Sequence, residues 1–291
     1  MIFEIKDNKI LFGEKGEITY KEILESIGVL GNDVVYLAGS LVEGKVDKYS
    51  VGMGNLYSDV DVFIIREHQA FEDTEGEYVD DVRKTYFRNI KGSAIDIEVF
   101  DGKYVHDLQN ALTNMNIDKG VRLLNVLKQT LQKGHDLLLV NTFLNRLKYS
   151  VCIFNETLYD KIRASMEFDV FLKLKAYHSI TLIDNIMEDI KGNLISEEPD
   201  VALHSLRTGT MKLMEAILAH EGIFVDREKW TALKFANLAR SFNKYSSAFK
   251  LYSEVFRGGM ADDAICLEKI ARLVPILKTE TERILTGDLD I

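Results

Sequence analysis

The sequence predicts an α+β protein, a mixed-sheet domain over residues 1–102 followed by an all-helical bundle over 103–291. Three observations carry that expectation. Up to about Asp101 the apolar residues come in short β-branched and aromatic runs, broken by Gly and Asp/Asn turns. From about Lys103 onward they recur at i, i+3, i+4 and i+7, the spacing of one helix face. With 291 residues, 46% of them hydrophobic, the chain is long enough to bury two separate cores.

The elements follow in order. IFEI and ILFG, joined by Lys6-Asp7-Asn8-Lys9, predict an opening hairpin. Thr19 is placed to cap a helix through Lys21–Ile27, with Glu22 at the N3 position and Ile23, Leu24 and Ile27 on one face. VVYLAG, VDVFII, KTYFRNI and AIDIEVF predict four strands, the last two paired as an antiparallel hairpin through Lys91-Gly92-Ser93. Helical patterns then cover residues 121–131, 159–187, 202–219 and 266–278. Breaks are expected at Gly134-His135, Lys191-Gly192-Asn193, Glu221-Gly222 and Arg257-Gly258-Gly259, and a kink at Pro275. Phe168, Phe171, Met211 and Met214 are expected in the bundle core.

Charge and composition narrow the function. A net charge of −10 argues against a protein whose main task is gripping duplex nucleic acid, and favours a nucleotide, small-molecule or protein partner. No run approaches the roughly 18 to 20 apolar residues of a membrane span, and the opening MIFEIKDNKI has no secretory pattern. Cys152 and Cys266 stand far apart and read as buried free thiols, which points to a reducing, cytoplasmic setting. The sequence does not set the oligomeric state.

The stretch with chemistry runs from Val34 to Ile65. A strand delivers Gly39-Ser40 at its end; after a Gly-rich loop, Ser58-Asp59-Val60-Asp61 opens the next strand. Side chains alternate along a strand, so Asp59 and Asp61 are expected on one face, about 7 Å apart. Two carboxylates so close repel one another unless a cation lies between them, and oxygen ligands select Mg²⁺ or Mn²⁺. A further carboxylate comes from Asp96 or from Glu98, which share a face of a later strand. Phosphoryl chemistry has a use for such a set, because two metals stabilise the attacking and leaving oxygens of an in-line displacement together. Backbone N–H groups after Gly39, with the Ser40 hydroxyl, can hold a triphosphate where a larger residue would obstruct it.

A strand ending in Gly-Ser, a Gly a few residues on, a Ser-Asp-x-Asp strand and a later single-Asp strand resembles the DNA-polymerase-β-like nucleotidyltransferase superfamily, over roughly Val34 to Phe100. The resemblance implies a transferase that moves a nucleotidyl group from an NTP to a hydroxyl. It implies Gly39 and Ser40 as nucleotide-binding residues, Asp59 and Asp61 as ligands of two Mg²⁺ or Mn²⁺ ions, and Asp96 as third ligand and base. A small-molecule acceptor is expected ahead of nucleic acid. Oligonucleotide cyclases and protein-modifying toxins share this core, and a non-catalytic nucleotide-binding module could keep it. The segment from Leu41 to Ser58 is longer than the family's usual gap; the excess around Lys45–Asn55 reads as an inserted loop beside the nucleotide site.

Other motifs are excluded. Gly52-Met53-Gly54 does not extend to a dinucleotide fingerprint, and no Gly-Lys-Ser/Thr follows. The six histidines include no pair at metal-ligand spacing. In the helical half Lys173, Lys175, Arg207, Lys212 and Lys229 are the candidate phosphate-binding cations, and the Lys229-Trp230 pair is expected to be structural.

Overall fold

The computed structural model describes residues 3–12, 16–55, 58–115, 117, 136–256 and 262–286. The helix expected over 121–131, and the breaks expected at Gly134-His135 and Arg257-Gly258-Gly259, lie outside the described residues. The chain divides into two compact units, Met1–Asn116 with Leu127–Phe168, and Ile117–Val126 with Asp169–Ile291.

The first unit opens with β1 (Phe3–Lys6), β2 (Lys9–Phe12) and β3 (Glu17–Thr19), an antiparallel three-stranded sheet. Its first turn takes positive φ at both Asp7 and Asn8, the geometry whose twist suits a two-residue hairpin. Thr19 closes the expected capping box on α1 (Tyr20–Ile27): its hydroxyl accepts from the Glu22 N–H at 3.2 Å, and the Glu22 carboxylate accepts from the Thr19 N–H at 2.9 Å.

A six-stranded mixed sheet follows, in the order β6-β7-β8-β5-β4-β9. Its strands are β4 (Val34–Ala38), β5 (Val60–Arg66), β6 (Tyr78–Val79), β7 (Arg83–Ile90), β8 (Ser93–Asp101) and β9 (Val151–Phe154). Between and after them run α2 (Gly39–Val46), α3 (His68–Glu72), α4 (Gly102–Thr113), α5 (Leu137–Lys148) and α6 (Glu156–Ala164). The β7–β8 hairpin turns at Lys91-Gly92 as expected, both at positive φ, and it lays β8 parallel to β5. β9 was not expected: it lies beyond residue 102, and its run of four apolar residues is too short for periodicity to separate strand from helix.

The sheet has two unlike faces. Val35, Leu37, Val62, Ile64, Ile97 and Val99 form an aliphatic core with Ile23 and Ile27 of α1. On the other face Tyr36, Phe63 and Phe100 stack in a row, centroids 5.4 and 6.3 Å apart, and Phe143 of α5 meets Phe100 at 5.0 Å. At the far end of β5, the Arg66 guanidinium donates to the Asp33 carboxylate at 2.7 and 3.0 Å, with both side chains buried. This pair ties the exit of β5 to the entrance of β4.

The second unit is helical: most of α7 (Phe168–Ile195), then α8 (Pro199–His220), α9 (Thr231–Ser241), α10 (Ser246–Phe256) and α11 (Asp263–Thr286). α8 is its centre, packing against α9, α10 and α11. Gly209 allows this closeness, since a Cβ there would meet Leu277 at 3.1 Å and Ile186 at 3.2 Å. Of the four residues expected in the bundle core, Phe171 and Met214 are fully buried, whereas Phe168 and Met211 are only half-buried. Pro199 occupies the first turn of α8, where its missing N–H costs nothing, and Gly222 follows the helix in the left-handed conformation. Two expectations change. The helical pattern over 159–187 is two helices, α6 and α7, and α7 passes through Lys191-Gly192-Asn193 to Ile195. One glycine inside a long helix costs only about 1 kcal/mol, which the rest of α7 absorbs. α11 contains Pro275 and continues to Thr286.

Removing one partner of the Arg66–Asp33 pair strands a buried charge, so Asp33→Ala is expected to lower stability by about 3–5 kcal/mol in equilibrium urea unfolding. A loss below 1 kcal/mol would show that the pair does not secure β5.

Candidate functional site

The site forms where the chain leaves β4. Ala38, the last residue of that strand, pairs with Asp61 near the start of β5, and the backbone then turns into α2 at Gly39. Gly39 has φ +87°, and a Cβ placed on it would lie 1.7 Å from Asp61 Oδ2 and 3.0 Å from Arg146 Nη1. Only glycine satisfies both demands. The sequence argument for Gly39 was close approach of a phosphate; in the structure the neighbour that already requires the missing side chain is the Asp61 carboxylate.

Asp61 is in register with Asp96 across the parallel β5–β8 ladder. Neighbouring strands stand about 4.8 Å apart, so both carboxylates project side by side from the face that carries Phe63 and Phe100. Both are half-buried. Glu98, the alternative to Asp96, receives the Arg83 guanidinium from β7 at 3.2 Å. Asp59 is exposed and stands one residue before β5 begins, so no ladder bond imposes the alternation that would align it with Asp61. Ser40 is half-buried in the first turn of α2, whose N-terminus has no side-chain cap.

Among the described residues, no group of three or more His, Cys, Asp and Glu side chains is gathered to hold a metal ion. Mg²⁺ seldom needs such a cage, because it keeps waters and binds through one or two carboxylates plus substrate phosphates. The in-register pair Asp61 and Asp96, beside a helix N-terminus, fits a cation that arrives with its phosphates.

Three residues of the site had no sequence argument behind them. Arg146 of α5 is buried, with Nη1 3.8 Å from Asp61 Oδ2 and its guanidinium over the Phe63 ring at 5.9 Å. Asn145, beside it and fully buried, donates to Glu43 Oε2 at 3.2 Å. Glu43, buried inside α2, also accepts from the Ser50 hydroxyl at 3.1 Å. Ser50 is the buried anchor of the Lys45–Asn55 segment, and Gly44 brings α2 so near that a Cβ would lie 2.8 Å from Met53 O. The expected insertion therefore folds back on α2. A signal for these residues existed: Asn141, Asn145 and Arg146 interrupt the otherwise apolar inner face of α5.

Four of the five candidate cations of the helical unit are engaged within it. Lys175 donates to Val225 O at 2.5 Å and Arg207 to Val255 O at 3.3 Å, Lys212 pairs with Glu215 at 2.9 Å, and Lys229 lies 4.8 Å from the Trp230 ring centroid. Desolvation pulls the Lys175 ammonium down to about 8. Lys173 lines a cavity of about 340 Å³ with His220, Tyr177 and apolar residues of α7, α8 and α11. None of the helices is long and apolar enough to cross a membrane, among the described residues.

No protein-family model matches this chain, and no curated protein does. Among solved structures it is similar to a nucleotidyltransferase-like protein from Exiguobacterium sibiricum 255-15, with 9% identity and a TM-score of 0.46, over 91% of this chain and 76% of that one. A likeness so slight identifies no family, and the activity has to be argued from the site itself.

Gly39→Ala adds a methyl where a carboxylate stands and forces a left-handed backbone on alanine, at a cost of about 1–3 kcal/mol. A thermal melt unchanged from the wild type would rule out the close approach of Gly39 to Asp61.

Proposed function

We propose that the first unit is a metal-dependent nucleotidyltransferase, moving an NMP from an NTP to the hydroxyl of a small-molecule acceptor. The observation that carries the proposal is the pairing of Asp61 with Asp96 in register, against the Gly39 backbone at the start of α2.

The residues divide the work. Backbone N–H groups of the first turn of α2, with the Ser40 hydroxyl, bind the anionic triphosphate end, where helix dipole and free donors point the same way. Asp61 and Asp96, together with Asp59 from just before β5, would hold the two Mg²⁺ or Mn²⁺ ions. Such ions would supply positive charge against the α-phosphate and the departing pyrophosphate. Asp96 accepts the proton of the acceptor hydroxyl as its oxygen attacks the α-phosphorus in line. The phenyl rings of Phe63 and Phe100 exclude water from the inner side of the carboxylate pair, which strengthens its hold on cations. A net charge of −10 favours a small or cationic acceptor over a nucleic acid.

One observation favours a second reading, a nucleotide-binding module without catalysis. Arg146 already sets a fixed cation 3.8 Å from Asp61. The two readings separate on incubation with each labelled NTP, with and without candidate acceptors. Transfer to a small molecule, lost on the order of a hundredfold or more in Asp61→Asn and Asp96→Asn, is the expected result. A nucleotide product formed without acceptor would indicate a cyclase, and a labelled polypeptide a protein-modifying enzyme. NTP binding that survives Asp61→Asn unchanged, with no transfer, would leave the binding module.

A further inference from the structure

We infer that Arg146 is a positioning residue that makes divalent-cation binding conditional on nucleotide; the inference rests on the nucleotidyltransferase reading above. The guanidinium carries a permanent charge, is buried, and lies 3.8 Å from an oxygen of one of the two in-register carboxylates. It is fixed from two sides. Its central carbon lies over the Phe63 ring at 5.9 Å, and the residue before it, Asn145, donates to Glu43 of α2. Its burial restricts movement away from Asp61 when a second cation approaches.

The charge balance follows. Asp59, Asp61 and Asp96, the proposed ligands, bring negative charge to the site, and Arg146 places one fixed positive charge 3.8 Å from Asp61. A bare Mg²⁺ or Mn²⁺ entering the in-register pair meets a fixed positive charge at close range in a half-buried site, where Coulomb repulsion is weakly screened. An NTP brings its own negative charges. It cancels the repulsion and also supplies ligand oxygens, so the cation binds as the metal–nucleotide complex. The buried guanidinium thereby couples cation entry to the nucleotide. It also keeps the carboxylate pair from holding a metal when no substrate is present.

The sign of the effect separates this role from a merely structural one. Loss of a structural support would loosen the carboxylates and weaken cation binding. Loss of a repelling charge strengthens it. Titrating Mn²⁺ into the full-length protein, followed by electron paramagnetic resonance without nucleotide, should show Arg146→Met binding on the order of tenfold to a hundredfold tighter than wild type. Arg146→Lys should stay near wild type, and Asp61→Asn should abolish the gain in the Met background. Unchanged or weaker Mn²⁺ binding by folded Arg146→Met, while wild type still takes up Mn²⁺ with a non-hydrolysable ATP analogue through Asp61, overturns the inference alone. Should wild type take up no cation with the analogue, or do so equally after Asp61→Asn, the metal-dependent reading falls with it. If Arg146→Met does not fold, wild type decides: equal Mn²⁺ affinity with and without the analogue overturns the inference.

Discussion

The arrangement depends on one close approach, the backbone of Gly39 against the carboxylate of Asp61. It occurs because β4 and β5 pair through Ala38 and Asp61, so the chain must leave the sheet beside that carboxylate. A side chain at residue 39 would have to displace Asp61, and with it the register partner Asp96. The strand exit, the helix N-terminus and the acidic pair are therefore one local solution, and the sheet order places β8 where it can complete the set.

Around that contact the fold invests buried polar groups, which are expensive unless paired. α5 carries most of them. Asn145 reaches Glu43 and through it the Ser50 anchor, while Arg146 reaches Asp61. Two consecutive residues thus join the long segment after α2 to the acidic strand. The aromatic row beneath them packs the sheet tightly enough to hold this geometry. At the opposite end of β5, Asp33 and Arg66 perform a purely structural version of the same pairing.

Much of the fold was legible. The β-rich first part and helical second part, the opening hairpin, the Thr19 capping box and the β7–β8 hairpin follow from local chemistry that acts within a few residues. Less was legible where long-range packing decides. Short β9 joins the sheet from beyond residue 102, and Gly192 stays helical because the helix around it outweighs one weak residue. In the site, Gly39, Ser40, Asp61 and Asp96 come from a contiguous pattern of strands and turns. Glu43, Asn145 and Arg146 do not, because nothing local to α2 or α5 says which buried polar group will meet which.

What the sequence alone determined is the set of parts: two patterns of apolar spacing, a strand followed by Gly-Ser, and acidic residues within apolar strand runs. These depend on backbone geometry with periods of two and 3.6, which any reader of the chain can count. What only the tertiary structure decided is adjacency. The parallel register that sets Asp61 beside Asp96, the return of Lys45–Asn55 onto α2, and the delivery of Arg146 to the acidic pair are choices among many partners. They are settled by burying all of these groups at once, a condition that no single segment contains.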